Sequence, residues 1–149
     1  MIASLFIIGF SLILFLYWFR YTCLLVLSAK PARDYTKQVA AANQLSFVEV
    51  EDQIAEVSVT DHLDNLSKSL DRDYRLLTCL MRHAAGFQLG GYDLEHRMLM
   101  IDFAVMRGWY ALAKKFSMPQ ARSALREMAT IVGHFANATG ERGAATAGV

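Results

Sequence analysis

The chain has 149 residues, enough for one modest domain. Apolar residues make up 54% and charged residues 19%, with a mean hydropathy of +0.26, which excludes a disordered chain. Beyond Ala29, 14 Lys+Arg balance 14 Asp+Glu; this excludes a nucleic-acid-coating protein, and two cysteines make no disulfide framework.

The first element is a run from Ile2 to Phe19 without a charge, with twelve Leu, Ile or Phe residues. Eighteen helical residues rise about 27 Å, close to a hydrocarbon core of roughly 30 Å. Arg20 stands at its edge, where a long stem snorkels, beside Tyr17, Trp18 and Tyr21 as an aromatic belt. The helix is expected to continue to Leu27 before Pro31 interrupts it. No basic residue precedes the run, and it is too long for a signal-peptide core, so a retained anchor over residues 1–30 is expected. Arg20, Lys30, Arg33 and Lys37 follow it, which by the positive-inside rule predicts an outside N-terminus and a cytoplasmic C-terminal domain.

The rest reads as helices. Residues 31–58 form a juxtamembrane pair: Tyr35, Val39 and Ala42 give a short stripe over 32–45, and Ser46 with Glu49 a capping box. That box opens a helix striped by Phe47, Val50, Ile54 and Val57. Residues 59–139 follow as a bundle. Leu63, Leu66, Leu70, Tyr74, Leu77, Leu80 and Ala84 form its first stripe, with Asp64 and Lys68 as an i,i+4 pair and Gly86 as a stop. Gln88 to Tyr92 reads as a loop and Asp93 as a cap. The next helix is striped by Leu94, Met98, Ile101, Val105, Trp109, Leu112 and Phe116, and Leu99, Phe103, Met106 and Tyr110 widen that stripe past half the circumference. Ser117 and Gln120 cap a last helix with Ala121, Leu125, Met128, Val132 and Phe135 inward, ending near Gly140; residues 140–149 read as a frayed tail. The fold class is therefore all-α: one transmembrane helix and a small antiparallel helical bundle.

Charge is segregated within this neutral domain. Glu49 to Asp64 holds six acidic residues and no basic one, whereas Arg97 to Arg126 holds six basic residues against Asp102 alone. This predicts complementary faces of neighbouring helices, or a basic side that docks a partner or anionic headgroups.

Motifs of catalysis are missing. No Glu-x-x-His, His-Glu-x-x-His, Cys-x-x-Cys or glycine-rich phosphate loop occurs, so no cofactor, metal or small-molecule substrate is expected. His83 and His134 are the pair that a haem or redox subunit would use, and Cys79 between Leu77 and Leu80 reads as an inert thiol. Leu112 to Met128 imitates a helix-turn-helix, but Ser123 and Arg126 fall where its second helix needs apolar residues. A membrane-tethered DNA-binding regulator acting through Lys114 to Arg126 is thus a secondary reading, and nucleic acid is not the expected partner.

The stretch Asp71 to Gly86, with Ala42 to Phe47 before it and Trp109-Tyr110 after, resembles uncharacterised membrane-anchored proteins of Acidobacteria. That resemblance implies a bacterial inner-membrane setting and brings no activity with it. The function expected is non-enzymatic: an accessory subunit or scaffold docking a protein partner or a second copy beside the lipid bilayer. Arg72, Arg75, Arg82, Met100, Met106 and Tyr110 are the expected contacts.

Overall fold

A computed structural model describes all residues except 32, 57–59, 85–93 and 148–149. Val57, Gly86, the stretch 88–92 and the Asp93 cap lie outside the described residues. The chain divides into two units, Met1–Lys30 and Pro31–Val149. Six helices and no strand occur among the described residues.

The first unit is α1, Ile2–Ser28, 27 residues with a hydropathy of 2.3, long and apolar enough to cross a membrane. It is apolar all round rather than along one stripe, as a helix solvated by lipid would be. Two of its hydroxyls bond back to the helix, which satisfies them without water: Thr22 donates to the Trp18 carbonyl at 2.9 Å and Ser28 to that of Leu25 at 2.8 Å.

The second unit comprises α2 (Thr36–Asn43), α3 (Phe47–Glu56), α4 (Thr60–Ala84), α5 (Leu94–Ala113) and α6 (Met118–Ala147). Helices α2, α3, α4 and α5 all pack on α6. Small side chains make this possible: Ala121, Ala124, Ala129 and Ala136 of α6 are buried among Leu125, Met128, Ile131, Val132 and Phe135. Against them lie Ile54 of α3, Leu63, Leu70, Leu77 and Met81 of α4, and Leu99 and Phe103 of α5, all buried.

Several boundaries differ from the sequence reading, each for a local reason. Helix α2 starts at Thr36, later than the expected span of 32–45, where the Asp34 carboxylate accepts the Thr36 N–H at 2.9 Å. Ser46 does precede α3, but Glu49 does not close the box. The buried carboxylate of Asp73 on α4 does so instead, accepting the N–H groups of Ser46 at 2.6 Å and Phe47 at 2.9 Å. An anion at a helix N-terminus satisfies its orphan donors and suits its dipole. Leu80 is exposed, and Met81 takes the core position instead. Helix α6 does not stop at Gly140 but runs to Ala147, so the expected tail is largely helical.

Gly140 is a contact point rather than a stop. A Cβ there would collide with Tyr35 and meet Val39 Cγ2 at 3.0 Å, whereas one at Gly143 would meet nothing within 4 Å. Asn137, one turn earlier, accepts the Tyr35 N–H at 2.7 Å and so fixes the entry to α2. Gly140→Ala is therefore expected to destabilise the chain by roughly 1–3 kcal/mol through overpacking. Gly143→Ala should be neutral or stabilising by up to about 1 kcal/mol, the helix-propensity difference. Thermal unfolding followed by circular dichroism of the detergent-solubilised chain compares the two; equal shifts would contradict the α2–α6 contact.

Candidate docking surfaces

Helix α5 is apolar on two sides, and only one of them can face α6. The inward side is Leu99, Phe103, Met106, Tyr110 and Ala113, all buried. The other part of the expected broad stripe points away: Leu94, Ile101, Val105, Trp109, Leu112 and, just past the helix, Phe116 are 44–81% exposed. Met106 and Tyr110, expected as contacts, are thus core residues, while Met100 is half-buried.

Polar clasps to α4 decide which side turns in. The Tyr110 hydroxyl donates to Asp64 Oδ1 at 2.6 Å, and Lys114 Nζ lies 3.0 Å from both oxygens of that carboxylate. Asp64 therefore serves α5 and its following turn rather than only its own helix. One end further along, Arg107 Nη1 meets Asp71 Oδ1 at 2.9 Å. Between these elements the rings of Tyr74 and Phe103 stack with centroids 4.0 Å apart and 4° between planes. A phenol can bury its ring and keep its hydroxyl only where an acceptor waits, so Tyr110 has one inward pose and Trp109 is turned outward.

The outer strip of α4 is the second uncovered surface. Leu76 and Leu80, one turn apart, are 43% and 37% exposed, and Arg72, Arg75 and Arg82 are exposed on the same helix, the first two beside Leu76. Lys68, Asp71, Arg72, Arg75 and Leu76 line a shallow groove there. Arg72 also has structural work: its guanidinium pairs with Asp73 at 3.2 Å and donates to Ser46 Oγ at 3.2 Å. Arg75 pairs with Asp71 at 2.7 Å.

His83 Nδ1 is 2.8 Å from the Cys79 carbonyl oxygen, and His134 Nε2 is 3.4 Å from Glu95 on α5. His96 stacks on Phe135, and its ring centroid is 6.1 Å from that of His134. Among the described residues no group of three His, Cys, Asp or Glu side chains is placed to hold a metal ion. Cys79 is exposed rather than enclosed between leucines. Helix α6, which a helix-turn-helix would lay into a groove of DNA, is the shared packing partner of the bundle, and Lys114 beside it is held by Asp64.

Sequence reasoning missed Asp73 as a structural residue. The signal was available: Leu66, Leu70, Asp73 and Leu77 share one helical face, which places a carboxylate inside an apolar stripe. Compared with known protein families, curated proteins and solved structures, the chain matches none.

The Asp64 carboxyl is held below the usual carboxylate range, first by the Tyr110 hydroxyl and then by Lys114. A lowered folded-state pKa stabilises the fold at pH above the unfolded value of about 4, and the contribution is lost as pH falls through the folded value. Burial and the bond to Asp64 push Tyr110 upward, so its contribution holds below the ordinary phenol value of about 10 and is lost only above it. Asp64→Asn should therefore lower thermal stability at neutral pH and reduce the acid-induced loss seen in the parent chain. Melting temperatures of both proteins from neutral pH down to about pH 3 check this; parallel curves would contradict it.

Proposed function

We propose that this chain is a non-enzymatic, membrane-anchored helical module that serves as an accessory subunit or scaffold by docking another protein. The observation that carries this reading is the outer strip of α4, where Leu76 and Leu80 are uncovered and Arg72 and Arg75 line a groove together with Leu76. Arginine around an exposed apolar centre is a composition that interfaces favour, because the planar guanidinium stacks, pairs with carboxylates and is weakly hydrated. The occupant that fits is a protein segment with apolar side chains flanked by carboxylates, since Asp71 is the one acidic residue in the groove and already serves Arg75 and Arg107.

The anchor supports the same reading. Helix α1 meets the length and hydropathy of a membrane span, and the basic residues of the chain's first forty are Arg20 in its C-terminal third and Lys30, Arg33 and Lys37 after it. The positive-inside rule then puts the bundle in the cytoplasm, with the N-terminus outside a bacterial inner membrane. A module held at a membrane meets membrane-bound partners at a raised effective concentration, so a modest interface suffices.

A photo-cross-linking side chain at Leu76 of the full chain, irradiated in its own membranes, tests the proposal. It should give one discrete adduct that Arg75→Glu strongly reduces, while the same probe at the exposed Glu51 gives none. An adduct of twice the chain mass identifies a second copy as the occupant. No adduct at Leu76, or one indifferent to Arg75, would contradict docking at this strip.

A further inference from the structure

We infer that the outward face of α5 is a lipid-docking surface: it lies in the headgroup region of an anionic bilayer, with its apolar side chains toward the acyl chains. This rests on the anchored reading above but concerns a different surface and a different class of partner. The face is built as interfacial helices are, with Ile101, Val105 and Leu112 along its middle and Trp109 and Phe116 at one edge. On the other edge stand Arg97 and Lys115, both exposed. Arg97 lies one turn before Ile101 on the helix, and Lys115 stands in the turn that follows Ala113.

The charge on this face has one sign. The two carboxylates of α5 are directed elsewhere, Asp102 being buried and Glu95 lying 3.4 Å from His134. Anionic headgroups complement such a rim. A second copy does not, because two of these faces would set Arg97 and Lys115 against their own kind. The anchor supplies the encounter: only seven residues of sequence separate Ser28 of α1 from Thr36 of α2, and a short tether raises the effective concentration of the bundle at the membrane. Gly108 also sits on this face with nothing near it, so no neighbouring helix of the chain explains the open backbone there.

The full chain carrying Trp18→Phe keeps Trp109 as its one tryptophan. It is reconstituted into vesicles of phosphatidylcholine and of phosphatidylcholine mixed with phosphatidylglycerol. In the mixed vesicles Trp109 emission should shift to the blue, and acyl-chain-brominated lipid should quench it at least about twofold more than in neutral vesicles. Arg97→Glu with Lys115→Glu should abolish that preference. Trp109 accessible to aqueous acrylamide in both vesicle types overturns the inference, as does Trp109 shielded from acrylamide yet untouched by brominated lipid, which marks a protein cover. Alkaline extraction of the same vesicles scores α1 separately. A chain retained with Trp109 in water removes the lipid surface and keeps the anchor; a chain released with Trp109 still lipid-quenched keeps the surface and removes the anchor.

Discussion

Everything in the bundle is organised by α6 having to serve four neighbours at once. Alanines at 121, 124, 129 and 136 let α2, α3, α4 and α5 come close to it, and its larger side chains fill the spaces between them. A helix shared so widely leaves each partner covered on one side only. For α2 and α3, short and polar on their outer faces, this costs little. For α5, apolar on both sides, it leaves Ile101, Val105, Leu112 and their neighbours without cover. Fully burying one such side chain stabilises by about 1.5–3 kcal/mol, so a face of this breadth is a strong incentive to associate.

The choice of which α5 side goes inward is made by polar groups. Tyr110 needs an acceptor and finds Asp64; Arg107 needs a carboxylate and finds Asp71; Phe103 finds the Tyr74 ring. These three meet α4 in reverse order along the two helices, which fixes α4 and α5 as antiparallel. Asp73 plays the corresponding part for α3, holding its N-terminus against α4. Buried or half-buried carboxylates on α4 thus set the register of three helices, and hydrophobic burial supplies the adhesion without specifying that register.

Much of this was legible in the sequence, because helical periodicity reports burial where one side of a helix is apolar and the other charged. The α3 stripe from Phe47 to Ile54 and the α6 stripe from Ala121 to Phe135 meet that condition, and α1 is legible for a different reason, its unbroken length of apolar residues. Helix α5 does not: with apolar residues at two angular positions, periodicity cannot choose between them and shows only one broad stripe. The deciding contacts, Tyr110 to Asp64 and Phe103 to Tyr74, span dozens of residues and have no local signature. Leu80 failed for a related reason, since Met81 beside it was an equally apolar candidate for the same position. Gly140 looked like a stop because glycine often ends a helix, whereas here the missing side chain makes room for Tyr35.

The account's central claim is that α5 presents a lipid-facing side away from α6. A single nitroxide placed in turn at the exposed positions from Arg97 to Lys115, in the full chain with Cys23 and Cys79 replaced, tests it most directly in anionic vesicles by paramagnetic relaxation. The account predicts that accessibility to oxygen exceeds accessibility to a water-soluble nickel chelate at Ile101, Val105 and Leu112, and that the order reverses at Arg107. Equal, water-like accessibility around the whole exposed circumference would contradict it.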